Sequence, residues 1–181
     1  MLLQEKTAVI TGCNRGIGKA VLETFAENGA DIFACVRKES DEFSNVAARL
    51  SEKTGVSITP VFFDFTESEQ VKAGIKAILS SKKQIDIMVN NAGVASGSFF
   101  QMTSPKDLKQ VFEINFFSQI LFTQGISRYM TRFKTGSIIN IASTAGLIGD
   151  AGMTSYGSSK AALIFATKTM ATELGEMNIR V

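Results

Sequence analysis

Residues 7–18 read Thr-Ala-Val-Ile-Thr-Gly-Cys-Asn-Arg-Gly-Ile-Gly, and this stretch decides the fold. Its first five residues form an apolar run typical of a buried strand, and a turn rich in glycine follows at once. Apolar residues then recur at helical spacing over residues 16–28, and Gly29 is placed to end that helix. The stretch therefore predicts a strand, a glycine turn and a helix in direct succession.

The glycine turn has the composition of a phosphate-binding site. Glycines let a backbone turn sharply and approach a pyrophosphate, whose charge then meets the free N–H groups and the positive end of the helix. The spacing is Gly-x-x-x-Gly-x-Gly, which departs from the Gly-x-Gly-x-x-Gly of many dinucleotide sites. The candidate contacts with a dinucleotide are Gly12, Asn14, Arg15, Gly16, Ile17 and Gly18.

Apolar runs and amphipathic stretches alternate along the whole chain. The predicted strands are residues 7–11, 31–36, 57–62, 85–90 and 137–141. The predicted helices are residues 16–28, 42–53, 67–81, 105–134 and 154–175. This alternation predicts an α/β fold, with a doubly wound parallel sheet between two layers of helices. The chain length suits one domain over residues 1–181.

Two of the helix starts carry capping signals. Thr66-x-x-Glu69 has the form of a capping box. Ser104 precedes Pro105, which places a cap residue before a proline at the first helical position.

Composition excludes several classes of function. A net charge of +2 without a basic stripe gives no electrostatic case for nucleic acid. No apolar stretch approaches the roughly 20 residues that span a bilayer, and residues 1–5 lack the pattern of a signal peptide, so a cytoplasmic protein is expected. The absence of histidine removes Ser-His-Asp triads and histidine zinc sites, so proton chemistry must fall to other side chains.

The two cysteines, Cys13 and Cys35, have no metal-ligand spacing and are too few for a disulfide framework. No metal site is predicted. Structural thiols are the simple interpretation. Because Cys13 lies in the glycine turn, a redox-sensitive cofactor loop is the alternative.

Tyr156 and Lys160 form a candidate device for proton transfer. Residues four apart share one face of a helix, so an ammonium can sit beside a phenol. A phenol is a poor acid or base at neutral pH, and a neighbouring cation stabilises its anionic form. A solvated helix face is the alternative interpretation of the pair.

The chain resembles the short-chain dehydrogenase/reductase family. The resemblance lies in Thr11 to Gly18, Asn90-Asn91-Ala92-Gly93, Ser143, and Tyr156 with Lys160, in that order. It implies a Rossmann-type, three-layer αβα enzyme that uses NAD(H) or NADP(H). Family members usually run to roughly 250 residues, whereas this chain stops at residues 178–181, which look like the start of a sixth strand. The resemblance therefore implies a sheet that stops before its sixth and seventh strands.

Cofactor choice should be decided where the second strand ends, because an acidic residue there would repel a 2′-phosphate. The chain has Val36-Arg37-Lys38 instead, and Arg37 with Arg15 can hold a phosphate, which favours NADP(H) over NAD(H). Solvated surface arginines are the alternative. By resemblance, Asp64 accepts from the adenine amino group, although it could simply form a turn before Thr66.

The resemblance also assigns the remaining site residues. Asn91, Ala92 and Gly93 border the adenine ribose, although an ordinary turn is the alternative. Ser143 hydrogen-bonds the substrate carbonyl oxygen, Tyr156 gives that oxygen a proton, and Lys160 anchors the nicotinamide ribose. Asn115 holds a water in line with the lysine. An asparagine is unfavourable inside a helix unless its side chain or a local kink is used, and a surface asparagine is the alternative.

The substrate is less defined. Residues 145–149 look like the 3-oxoacyl-[acyl-carrier-protein] reductases, the fatty-acid branch of the family, whereas residues 94–96 and 152–155 depart from that branch. Oxidation of a sugar, polyol or steroid alcohol is the enzymatic alternative, and a dinucleotide-binding sensor or scaffold without turnover is the alternative of another class. Cations that could dock an acidic carrier, or simply favour a helix C-terminus, are Arg128, Arg132 and Lys134.

The family usually forms homodimers or homotetramers. Candidates for a subunit interface, or equally for the core, are Phe116, Phe117, Ile120 and Leu121.

Overall fold

A computed structural model describes residues 1–181. The strands are β1 (Thr7–Thr11), β2 (Asp31–Val36), β3 (Ile58–Phe62), β4 (Ile87–Asn90), β5 (Gly136–Asn140) and β6 (Ile179–Arg180). The helices are α1 (Gly16–Glu27), α2 (Asp41–Thr54), α3 (Ser68–Ser80), α4 (Pro105–Phe112), a π-helical segment (Glu113–Phe117), α5 (Ser118–Met130) and α6 (Thr154–Gly175).

All six strands form one parallel sheet in the order β3-β2-β1-β4-β5-β6. The order reverses between β1 and β4, and such a switch point opens a crevice beyond the carboxyl ends of the strands. The predicted α/β fold is confirmed, and no predicted strand end is off by more than two residues. The expected start of a sixth strand is present, because Ile179 pairs with Gly136 and Arg180 with Ser137, so the sheet includes a short sixth strand rather than stopping before it.

The core lies on both faces of the sheet. All five residues of β1 are buried, and successive side chains alternate between the faces. Val9 packs with α3 and α5 through residues such as Ile78 and Phe122. Ala8 and Ile10 pack on the other face with residues of α1 and α2. Burial on both faces explains why the inner strands read as continuous apolar runs rather than alternating ones.

The prediction of one continuous helix over residues 105–134 is wrong in its middle and at its end. A π-helical segment at Glu113–Phe117 separates α4 from α5, and α5 ends at Met130. A π turn carries one extra residue and re-aims the side chains within it. Asn115 lies in this segment with no exposed surface, which its position in a regular amphipathic helix did not predict.

One capping prediction is confirmed and the other is wrong. The Ser104 hydroxyl accepts from the Asp107 backbone N–H at 3.0 Å, and Pro105 begins α4. Thr66 does not cap a helix, because α3 begins at Ser68 and the Thr66 hydroxyl donates to Asp64 at 2.9 Å. The aspartate two residues earlier competes successfully for the threonine. None of the helices combines the length and the apolar character that crossing a bilayer requires.

Candidate active site

A cleft of about 630 Å³ opens at the carboxyl edge of the sheet, beside the switch point between β1 and β4. The predicted site residues that line it come from the glycine turn, the end of β2, the loop after β3 and the loop after β4. They are Gly12, Asn14, Arg15, Gly16, Ile17, Arg37, Asp64, Asn91, Ala92 and Gly93. Residues distant in sequence therefore meet in one cleft.

The glycine turn has the geometry of an anion cradle. Gly12 and Gly16 have φ values of +74° and +56°, in the left-handed region that favours glycine. Gly18 lies behind the cleft wall, where a Cβ would overlap the Gly12 carbonyl and the Asn91 amide. No side chain caps the start of α1 and its first turn holds no acidic residue, so its N–H groups are available to an anion.

Asn91 joins the glycine turn to the loop after β4. Its side-chain amide donates to the Thr11 carbonyl at 3.0 Å and to the Gly12 carbonyl at 3.2 Å. The backbone N–H groups of Asn91 and Ala92 both donate to the Thr11 hydroxyl at 3.0 Å. The cleft floor is thus held by hydrogen bonds between the two loops, and the amide of Asn91 supports the turn from within.

The charged residues of the cleft are Arg15, Arg37 and Asp64. Both arginines are exposed, and neither takes part in an ion pair within the chain. One carboxylate oxygen of Asp64 accepts from the backbone N–H of Thr66 at 2.8 Å and from its hydroxyl at 2.9 Å. Asp64 therefore forms the turn that was its alternative role, while it also lines the cleft.

Two glycines allow the turn after Ser143 to pack closely on α6, the helix that carries Tyr156. Ser143 precedes a short 3₁₀ turn, Thr144–Gly146, which packs on α6. A Cβ added to Gly146 would lie 2.8 Å from the Ala161 nitrogen, and one added to Gly157 would lie 2.5 Å from the Ala145 carbonyl oxygen. Because only glycine permits this approach, the turn that carries Ser143 lies directly against the helix that carries Tyr156.

Lys160 is a buried cation without an acidic partner. Its side chain is 4% exposed, and its ammonium donates to the Ile141 carbonyl at 2.7 Å. The ammonium nitrogen lies 6.0 Å from the centroid of the Tyr156 ring, so the two side chains share one face of α6. Burial in a poorly solvated site lowers the pKa of Lys160. The alternative of a solvated helix face does not describe this pair.

The lysine also approaches the cleft wall. A Cβ added to Gly93 would lie 3.7 Å from the Lys160 ammonium nitrogen and 3.2 Å from the Asn115 amide oxygen. Gly93 lines the cleft, so the cation sits immediately behind it.

Asn115 is a buried link rather than a surface residue. Its amide oxygen accepts from the Val94 N–H at 2.8 Å, and its amide nitrogen donates to the Val94 carbonyl at 2.9 Å. The same nitrogen donates to the Ser159 hydroxyl at 3.1 Å. Both side-chain N–H groups are therefore engaged, and the amide joins the loop after β4 to α6.

The cysteines are inert in this fold. Cys13 is 1% exposed and its thiol donates to the Ile10 carbonyl, while burial raises the pKa of Cys13 to about 12. Burial also raises the pKa of Cys35. Because the thiolate is the reactive form, this environment argues against a redox-sensitive loop.

The apolar walls of the cleft were not predicted from the sequence. They include Val36, Phe63, Phe65, Val94 and Ile114. Phe63 and Phe65 could have been predicted to line the cleft, because they follow β3 at the carboxyl edge of the sheet and alternate with Asp64. Ile114 lies in the π segment, which the sequence did not predict.

Two surface predictions have different outcomes. Arg128 lies in the last turn of α5, and Arg132 and Lys134 lie between α5 and the first residue of β5. All three are therefore at the edge of the sheet opposite the cleft. An acidic carrier docked on these residues would therefore lie across the sheet from the cleft of the same chain. Of the candidate interface residues, Phe117 is 55% exposed, and the remaining ones are half-buried.

The fold and the cleft together define a dinucleotide-binding α/β protein. A model of the short chain dehydrogenase family matches residues 6–181. The chain belongs to the short-chain dehydrogenase/reductase family, which indicates a nicotinamide dinucleotide cofactor.

The chain is similar to curated bacterial proteins along its whole length. It is 35% identical over 181 residues to the 3-oxoacyl-[acyl-carrier-protein] reductase FabG of Chlamydia trachomatis, covering 99% of this chain and 72% of that protein. It is 34% identical over 184 residues to FabG of Thermotoga maritima, covering 100% of this chain and 73% of that protein.

Solved structures of the family have the same fold. NAD⁺-bound xylitol dehydrogenase superposes with a TM-score of 0.93 at 31% identity, covering 100% of this chain and 69% of that one. A short-chain dehydrogenase from Streptomyces avermitilis superposes with a TM-score of 0.88 at 26% identity, covering 97% of this chain and 63% of that one. The chain thus spans about two thirds of the length of these structures.

Proposed function

We propose that the protein reduces a carbonyl group to an alcohol with NADPH. The observation that carries the proposal is the buried, unpaired Lys160 beside Tyr156, immediately behind the cleft wall. The residues fit a dinucleotide, because the glycine turn presents free N–H groups to a pyrophosphate beside a cleft of about 630 Å³. The bound cofactor supplies a hydride to the carbonyl carbon.

Side chains of the protein carry out the proton transfer to the substrate. Tyr156 donates its hydroxyl proton to the carbonyl oxygen as negative charge develops there. The Lys160 ammonium, which no carboxylate neutralises, stabilises the phenolate that remains. The Ser143 oxygen accepts from the Ala145 N–H at 3.2 Å, which leaves its own proton free to hydrogen-bond the substrate oxygen.

Asn115 has a supporting part in this proposal. Its two side-chain N–H groups are already engaged with Val94 and Ser159, so the amide holds the loop after β4 in place. Relay of the replacement proton near Asn115 stays a prediction.

Arg37 and Arg15 support the preference for NADPH over NADH. Both line the cleft without an ion-pair partner, so each can meet a 2′-phosphate without breaking an existing contact. The related xylitol dehydrogenase structure holds NAD⁺, so the fold alone does not decide the cofactor.

The substrate that we propose is a 3-oxoacyl thioester. The curated relatives carry the name 3-oxoacyl-[acyl-carrier-protein] reductase. The loops beyond β4 and β5, joined by a hydrogen bond from the Ser98 N–H to the Gly152 carbonyl, expose apolar side chains at the edge of the sheet that holds the cleft. Phe99, Phe100, Leu147 and Ile148 are 67–77% exposed, which suits an acyl chain better than a polyol. Polyol oxidation is the second candidate, because of the likeness to xylitol dehydrogenase.

We also propose a homodimer or homotetramer. Apolar side chains stay uncovered on the π segment and α6, where Phe117 is 55% and Phe165 is 73% exposed. Sedimentation of the wild-type chain and of Phe165→Lys tests this proposal, and an unchanged mass for the variant contradicts a contact through that face.

Turnover tests the main proposal. NADPH oxidation is followed by its absorbance with an acetoacetyl thioester, and NAD⁺ reduction is followed with xylitol in a parallel reaction. We expect steady turnover with the thioester and little with xylitol. Turnover of xylitol alone would favour the polyol reaction, and binding of NADPH without its consumption would favour the sensor or scaffold.

A further inference from the structure

A chain of hydrogen bonds connects the loop after β4 with the helix that carries the tyrosine. The backbone of Val94 pairs with both ends of the Asn115 amide, at 2.8 and 2.9 Å. The amide nitrogen of Asn115 also donates to the Ser159 hydroxyl at 3.1 Å. That hydroxyl in turn donates to the Tyr156 carbonyl at 2.7 Å. Asn115 and Ser159 have no exposed surface, so water does not reach the bond between their side chains.

The Ser159 hydroxyl accepts the second N–H of the Asn115 amide, in the orientation that the Val94 backbone also requires. A hydroxyl has one proton, and Ser159 uses it on the Tyr156 carbonyl, so toward Asn115 it can only accept. The amide nitrogen must then face Ser159, and the amide oxygen must face the Val94 N–H. Without that acceptor, one N–H of the buried amide would be left without a partner, and the amide would lose its hydrogen bond to α6.

This connection from α6 through Asn115 to Val94 matters because Val94 follows the glycine at the cleft wall. Gly93 lies close to both Asn115 and Lys160, because a Cβ added to it would be 3.2 Å from the Asn115 amide oxygen and 3.7 Å from the Lys160 ammonium nitrogen. A shift of the Val94 backbone therefore changes the distance between the cleft wall and the proton-transfer pair.

We propose that Ser159 is a positioning residue, whose hydroxyl holds the Asn115 amide and thereby sets the cleft wall against Tyr156 and Lys160. The inference rests on the proposed carbonyl reduction for its kinetic consequence. The bond network stands without that function. Ser158, the neighbour of Ser159 on the same helix, is exposed and has no side-chain hydrogen bond, so it provides a matched control.

The kinetic test compares Ser159→Ala with Ser158→Ala. We expect Ser159→Ala to lower kcat with the thioester about 10- to 100-fold, as misplacement of a site by a fraction of an ångström does. The KM for the thioester and the affinity for NADPH should stay within about threefold. A kcat within twofold of the Ser158→Ala value overturns the proposal. So does a fall in NADPH affinity equal to the fall in kcat, because that indicates a general loss of structure.

A double-variant cycle tests whether Ser159 acts through Asn115. If it does, Asn115→Ala combined with Ser159→Ala loses no more activity than Asn115→Ala alone. If the double variant instead loses activity by the product of the two single losses, Ser159 does not act through Asn115.

Hydrogen exchange separates this inference from the proposed function. The Val94 amide bonds to Asn115, so its exchange measured by NMR should become about tenfold faster or more in Ser159→Ala and stay unchanged in Ser158→Ala. Unchanged exchange at Val94 overturns the positioning role, whether or not the protein reduces a thioester. Absence of turnover in the wild type, with faster exchange in Ser159→Ala, refutes only the function. Should Ser159→Ala unfold, Ser159→Cys, with a side chain of similar shape, replaces it in these measurements.

Discussion

Substitution of Gly157 by alanine tests whether contact between the Ser143 turn and α6 sets the geometry for reaction. The new Cβ would lie 2.5 Å from the Ala145 carbonyl oxygen, whereas ordinary contact begins near 3.4 Å, so the turn and the helix must separate by about 0.9 Å. A misplacement of about 1 Å costs roughly 100-fold in rate. Overpacking costs about 1–3 kcal/mol, and the better helix propensity of alanine offsets about 0.5–1 kcal/mol of that.

The expected result is a kcat lower by about 10- to 100-fold, with NADPH affinity little changed because the atoms nearest the new Cβ belong to Ala145 and Met153, not to the glycine turn. The melting temperature should fall by a few degrees, at about 2–4 °C for each kcal/mol. Gly175→Ala is the matched control, because it changes the same residue type in the same helix at a position with no atom within 4 Å. If Gly157→Ala keeps its kcat within twofold and melts no lower than Gly175→Ala, the close contact does not position Ser143.

Three further predictions follow from single side chains. Arg37→Asp should lower the ratio of NADPH to NADH affinity about 10- to 100-fold, because charge-assisted hydrogen bonds contribute about 1.5–3 kcal/mol, and an unchanged ratio in fluorescence titrations refutes the phosphate role. Burial lowers the pKa of Lys160 below its unfolded value of 10.5, so the charged lysine destabilises the folded protein at neutral pH. This destabilisation is lost as pH rises through the folded pKa, because the lysine is then neutral in the folded protein. Urea unfolding should therefore show the wild type gaining stability relative to Lys160→Met as pH rises toward 10.5, and a constant difference contradicts this. Neither Cys13 nor Cys35 should react with a disulfide reagent at pH 8 until urea unfolds the chain, and rapid reaction of one thiol in the folded protein contradicts their burial.

Most of the fold could be predicted from local sequence patterns. The bounds of β1, β2 and α6 match the prediction because an apolar run, a glycine turn and helical spacing are properties of adjacent residues. Family resemblance then brought together residues from separate strand ends, and the structure places ten of these predicted residues around one cleft.

The features that were not predicted depend on partners distant in sequence. The π segment interrupts the helix where Asn115 bonds to Val94, 21 residues away. The Thr66 hydroxyl donates to Asp64 instead of capping the predicted helix, although the two residues are only two positions apart in the sequence. The absence of an acidic partner for Lys160 could not be predicted, because it depends on the position of every carboxylate in the folded chain.

The central claim is that Tyr156 is the proton donor, and its hydroxyl is the group to remove. The chain has two tyrosines, so Tyr129→Phe, on α5 away from the cleft, is the matched control for Tyr156→Phe. Steady-state oxidation of NADPH with an acetoacetyl thioester measures both variants, and fluorescence titration measures their affinity for NADPH. We predict that Tyr156→Phe binds NADPH like the wild type and loses at least about 100-fold in kcat, while Tyr129→Phe keeps its turnover. Near-normal turnover by Tyr156→Phe would contradict the account.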